Sequence, residues 1–168
     1  MNRLRWALAA LVLLVAAAPA AAQESGQALL QQSGLRNLAL IRIDGNANSL
    51  IVDQLQSDRS LLGNVIRISI SGDRNGGLIG GSRSSLFDSS VLEPGLVTQS
   101  GAANRIDLSV TGSDNQFGLR QVGIGNSLSG VISGAANQVA VMQVGGGNAM
   151  AFAQSGSGNI LSVVQRAR

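Results

Sequence analysis

The sequence predicts an all-β fold, a β-solenoid of stacked strand-turn-strand units with an 11-residue unit and a 22-residue layer. Three observations carry this. From residue 99 onward Gly recurs at 101, 112, 123, 134, 145 and 156, and Asn at 104, 115, 126, 137, 148 and 159, without slippage. Gln recurs most strictly every 22 residues, as Gln99, Gln121, Gln143 and Gln165. After each Asn the residues alternate with period two, the repeat of a strand.

The first observation admits a rival, because eleven residues also make three turns of a right-handed helical supercoil. A Gly in every unit would cost such a helix about 1 kcal/mol each, and few charges are present to flank a seam. The alternation decides for strands. Asn104, Ile106, Leu108 and Val110 share one face and Arg105, Asp107 and Ser109 the other. Asn115, Phe117, Leu119 and Gln121 face one way, against Gln116, Gly118 and Arg120. The pattern continues in Asn137, Val139, Val141 and Gln143, and in Asn148, Met150, Phe152 and Gln154.

Each unit therefore reads as a strand of about seven residues followed by a tight x-G-x-x turn, where Gly accepts the positive φ that other residues resist. The predicted turn residues are Gly101, Gly112, Gly123, Gly134, Gly145 and Gly156. The 22-residue spacing of Gln places two units in a layer. Layers stacked about 4.8 Å apart set Gln over Gln and Asn over Asn, so that side-chain amides bond along the stack.

Composition narrows the function classes. The chain has 168 residues, 22 of them Gly, with 2% aromatics and no His, Cys or Tyr; its twelve basic residues are all Arg. No catalytic, cofactor-binding or metal-ligating set is predicted, and the nine acids are scattered rather than paired for acid-base work. The chain does not read as an enzyme. Nor does it read as a calcium-binding β-roll, which needs G-G-x-G-x-D at a nonapeptide period.

Residues 1–22 read as a secretory leader, with basic Arg3 and Arg5, an apolar run from Trp6 to Val15, and the small residues Ala20, Ala21 and Ala22 before a mature start at Gln23. Two Arg leave with it, so the mature charge falls from +3 to +1. Such a balance gives no basic surface for nucleic acid.

The expected organisation is a leader at 1–22, an N-terminal segment at 23–31, degenerate repeats at 32–75, an irregular insertion at 76–96 and regular repeats at 97–168. In the degenerate block Gly34 goes with Asn37, Gly45 with Asn48 and Gly72 with Asn75, while Gln54 holds a ladder place. The 29 residues from Asn75 to Asn104 are not a multiple of eleven, and Pro94 lies between them. The insertion reads as a surface loop or a hinge between two stacks.

QVGGGNAMAFAQ and QSGSGNILSVVQ fit the pattern Q-x-G-x-x-N-x-A-x-x-x-Q, with Met150 and Leu161 where a small Ala is usual. In this the chain resembles the curlin family, the subunits of bacterial curli fibres, regularly over 99 to 165 and loosely over 32 to 75. The resemblance implies a secreted, amyloid-forming cross-β subunit. It would leave through a dedicated secretion channel with accessory factors and polymerise at the cell surface, with itself or a partner curlin subunit, for biofilm matrix and adhesion. Carried over by position, the ladder residues are Gln99, Gln121, Gln143, Gln154 and Gln165 with Asn104, Asn126, Asn148 and Asn159. Alternate units depart from the pattern, with Val110 and Ile132 in Gln places. The degenerate first half leans toward a minor nucleating subunit and the regular second half toward a major one.

The competing expectation is a monomeric secreted β-solenoid, an adhesin or binding scaffold. Against it, the last units direct Ser127, Ser129, Val131, Gln138, Ala140, Met142, Ala149, Ala151, Ala153, Ile160, Ser162 and Val164 outward with no charge among them. Uncharged, proline-free edges invite further strands. Arg42, Asp53, Arg67, Arg105, Asp107 and Arg120 are charges expected on the outer surface, where they serve as solvated residues or as gatekeepers against premature assembly.

Overall fold

The computed structural model describes residues 12–17, 26–56, 62–77, 85–87 and 92–167. The predicted leader lies mostly outside the described residues. Strands alternate between two sheets as the chain advances. The first sheet holds, in spatial order, β1 (Val12–Ala17), β3 (Leu38–Asp44), β5 (Val65–Ser71), β7 (Arg105–Ser113), β9 (Ser127–Ala135) and β11 (Ala149–Ser157). The second holds β2 (Gln27–Ser33), β4 (Ser49–Gln56), β6 (Leu96–Ala102), β8 (Gln116–Ile124), β10 (Gln138–Gly146) and β12 (Ile160–Arg166). Every pairing is parallel, and two successive strands make one turn of a β-solenoid.

The register follows the 22-residue spacing, with Gln121 beside Gln143 and Gln143 beside Gln165. Side chains of like kind therefore form columns through the core. One column of the first sheet runs Ile43, Ile70, Val110, Ile132 and Gln154, and one of the second runs Leu30, Val52, Val97, Leu119, Val141 and Val163. Interruptions in a column are filled by the neighbouring layer. A Cβ on inward-facing Gly130 would lie 2.3 Å from the ring of Phe152, which occupies the space that Gly130 leaves.

The solenoid is continuous across the irregular segment, which is not a hinge. β4 pairs with β6 and β5 with β7, joining the degenerate and regular repeats in one stack. Gly76 donates its backbone N–H to Asn115 O, and Gly95 donates to Phe117 O, so the two glycines take consecutive ladder places. The chain leaves the stack after Gly76 and rejoins it at Gly95. Removing the 18 residues between them turns the 29-residue step from Asn75 to Asn104 into eleven.

Part of the excursion folds back. A 3-10 turn, Ser85–Phe87, sets Phe87 against the outer face of the second sheet, where Phe87, Leu92 and Ala140 are buried together. A Cβ on Gly118 would come within 2.9 Å of the Phe87 ring and of Glu93 O. Gln116 and Ala140, expected on the outer surface, are therefore buried under this segment, and Gln116 donates to Gly77 O. The repeats also begin earlier than residue 32, because β2 starts at Gln27. Among the described residues no helix is long and apolar enough to cross a membrane.

Candidate functional site

The corners between strands are built by the G-x-x-N segments. Gly101, Gly112, Gly123, Gly134, Gly145 and Gly156 all have φ between 101° and 121°. The residue just before each Asn is left-handed too: Gly125, Gly147 and Gly158 fill that place in some corners, while Arg36, Ala47, Arg74, Ala103, Asp114 and Ala136 fill it in others with φ of 52° to 63°. Reversing the chain within so few residues needs both left-handed steps.

This geometry turns each Asn into the core, where its amide links layers. The backbone N–H of Asn126 donates to Oδ1 of Asn104 at 3.1 Å, and Asn126 Nδ2 donates to the same oxygen at 3.0 Å. Asn126 Nδ2 also donates to Gly145 O of the following layer at 3.0 Å. Two such ladders run the length of the stack. One joins Asn37, Asn64, Asn104, Asn126 and Asn148, and the other Asn48, Asn75, Asn115, Asn137 and Asn159.

A third ladder runs the opposite way. Gln32 Nε2 donates to Gln54 Oε1, Gln54 to Gln99 at 3.0 Å, Gln99 to Gln121 at 2.9 Å, Gln121 to Gln143 at 2.8 Å and Gln143 to Gln165 at 2.7 Å. The second N–H of Gln54, Gln99, Gln121 and Gln143 crosses the core to a carbonyl of the first sheet, as from Gln121 to Arg105 O at 3.0 Å. Gln54, Gln99, Gln121 and Gln143 are fully buried, so their amides depend on one another for hydrogen bonds.

The ladder ends in two unlike groups. At the β2 end, Gln32 Oε1 is buried and accepts no hydrogen bond among the described residues. At the β12 end, Gln165 Nε2 donates among the described residues to Ala149 O alone, leaving one N–H over. The outer edges of β11 and β12 have no further strand among the described residues.

Gln154 does not belong to this ladder. It stands on β11 in the first sheet beside Ile132, at the end of an apolar column, and its buried Oε1 has no partner among the described residues. Carrying the motif over position by position placed it with the other glutamines. The chain alternates sheets, however, and only every second Gln place falls in the second sheet. Gln32, on the other hand, is a ladder rung that the repeat pattern missed, since its own segment lacks a regular neighbour. Asn115 and Asn137 are rungs as well, and their in-register period was the signal for them.

Of the outer charges, Arg42, Arg67, Arg105 and Asp107 stand on the first sheet, Asp53 and Arg120 on the second, and Arg74 and Asp114 at a corner. Arg67 lies 3.6 Å from Asp107, which Arg105 also contacts, and Arg74 forms two hydrogen bonds to Asp114 in the next layer at 2.7 and 2.8 Å. The bond to Arg74 holds the Asp114 carboxyl below its ordinary pKa. Among the described residues no group of three His, Cys, Asp or Glu could hold a metal ion. Comparison of the chain with family models, with curated proteins and with solved structures returned no match.

Proposed function

We propose that this chain is a secreted structural subunit of a curli-type fibre, exported by its leader and polymerised at the cell surface by end-to-end stacking of its layers. The observation that carries the reading is the pair of unlike ladder ends. The spare N–H of Gln165 and the empty Oε1 of Gln32 are donor and acceptor in the same column, so the β12 end of one copy suits the β2 end of the next. The open edges bear no charge on β11, and β12 carries only Arg166 at its end. Such edges favour strand addition over solubility.

On this reading the amide ladders continue through the fibre and set its register, because a slip of two residues would place Gln165 against the apolar Leu30, and a slip of one would set inward side chains beside outward ones. The partners are further copies or a partner curlin subunit, together with a secretion channel and its accessory factors. The minor nucleating role and the major role both use this contact.

The test is polymerisation of the chain from Gln23. It should convert over hours into thioflavin-positive fibres whose diffraction carries the spacing of stacked strands, about 4.8 Å. Gln165→Ala should slow growth, whereas Ser129→Ala, on the outer face, should leave it unchanged. A chain that stays monomeric at high concentration is instead a solenoid adhesin or scaffold.

A further inference from the structure

In a chain that starts at Gln23 the two sheets do not reach the same height. Each contains six strands, but one of the first sheet's six is β1, inside the predicted leader, so a chain from Gln23 carries six strands in one sheet and five in the other. This has a consequence for stacking, and it rests on the fibre reading above. If β12 of one copy pairs with β2 of the next, β11 lies half a turn before that contact and β3 of the next copy half a turn after it. β11 and β3 are then two layers apart. Adjacent strands are one layer apart, so a slot one strand wide remains in the first sheet at every junction. Pairing β11 directly with β3 would instead drive β12 and β2 into the same layer.

We infer that this slot is a binding site for one extended, parallel, uncharged segment of a partner polypeptide. Its occupancy is already exemplified, since Val12–Ala17, sequence VLLVAA, sits in parallel on the β3 edge with Leu14 beside Ile41 and Ala16 beside Ile43. The walls fix the chemistry. On its core side the slot lies between Ala39 and Met150, between Ile41 and Phe152, and between Ile43 and Gln154. The first two levels are apolar throughout. The third brings Gln154, whose Oε1 is closed off from the open β11 edge and whose Nε2 donates to Gln138 O with a second N–H to spare among the described residues. The fitting segment is therefore apolar at two alternate positions and carries at the third an amide whose carbonyl accepts from Gln154, Φ-x-Φ-x-Gln or Φ-x-Φ-x-Asn.

The probes are peptides spanning residues 10–19, with the natural sequence, with Ala16→Gln, and with Leu14→Pro, which removes a strand N–H. They are added to the chain from Gln23. The natural peptide should enter the fibres at one copy per chain and shorten the lag about tenfold, the proline peptide should do neither, and Ala16→Gln should bind about threefold to tenfold tighter through one added hydrogen bond. Fibres that exclude the peptide, or that stop growing when it binds, would overturn the slot and leave the fibre reading standing. Absence of fibres under every condition would remove the fibre reading and the slot with it. Equal affinity of the natural and Ala16→Gln peptides would refute the assignment of Gln154 as the polar wall.

Discussion

The carbonyl oxygen of Gly145 lies 1.9 Å from the point where a Cβ on Gly123 would stand. The same approach recurs at the other corner, with Gly134 to Gly156 O also at 1.9 Å. These glycines are held by two separate demands, a positive φ and contact with the backbone of the next layer. Gly125 meets only the first, since its φ is 72° and nothing lies within 4 Å of its added Cβ. Gly125→Ala should therefore cost about 1 to 2 kcal/mol, the price of a left-handed alanine. Gly123→Ala should cost several times more, because backbone must move. Denaturant midpoints of the two variants measure the difference.

Ala136 occupies the equivalent place to Gly125 with a φ of 54° and an exposed side chain. Its methyl group gains nothing from burial there, while the left-handed conformation costs it strain. Ala136→Gly should raise stability, by up to about 1 kcal/mol after the greater freedom of glycine in the unfolded chain is offset. A rise in melting temperature with the fold unchanged by circular dichroism is the expected result.

Gln121 and Gln154 separate a ladder glutamine from one beside an apolar column. Gln121→Ala leaves the donor of Gln99 and the acceptor of Gln143 without partners in a sealed core, and each orphan costs about 1 to 3 kcal/mol. Gln154→Ile instead extends the column Ile43, Ile70, Val110, Ile132 and removes a buried oxygen that has no bond among the described residues. It should stabilise the chain where Gln121→Ala destabilises it. Matching losses for the two would mean that both glutamines belong to ladders.

Much of this was legible in the sequence because a solenoid stacks residues at a fixed spacing, and a fixed spacing survives in the chain as a period. Ile106, Leu108 and Val110 show their inward face by alternation alone, and the corner glycines by their recurrence. What alternation could not tell was which sheet a unit enters, hence the misplacing of Gln154. Nor could it see through interruptions. The 45 residues from Gln54 to Gln99 equal one 22-residue layer, the 18 residues between Gly76 and Gly95, and five extra residues between Asn48 and Asn64. Only the hydrogen bonds of Gly76 and Gly95 show where the chain steps out. The burial of Gln116 was hidden for another reason: it bonds Gly77, where the irregular segment leaves the stack.

The Arg74–Asp114 pair joins adjacent layers on either side of the excursion. Hydrogen bonding to Arg74, outweighing desolvation, lowers the Asp114 pKa from its ordinary value, so the folded state favours the ionised carboxylate. Stability from this pair is present above the unfolded pKa of Asp and is lost as pH falls through the lower folded value. The pair is at the surface, so the effect should be small and should shrink with added salt. Asp114→Asn should remove that part of the acid-side loss of melting temperature and leave the profile above pH 6 flat.

Deletion of residues 77–94, joining Gly76 to Gly95, tests the continuity of the stack most directly. The two glycines already occupy neighbouring ladder positions, with N–H groups bonded to Asn115 and Phe117 carbonyls. The joined chain would carry the 11-residue step from Asn75 to Asn104 without interruption. What is lost is the bond from Gln116 to Gly77 O and the cover over Gly118 and Ala140, both small, so little apolar surface is uncovered. What is gained is the closure entropy of an 18-residue loop. The shortened chain should keep its strand content and lie within about 2 kcal/mol of the parent in stability. Cooperative unfolding in a single transition would mark one stack, whereas two transitions after the deletion would mean that the excursion, and not the strand pairing, holds the halves together.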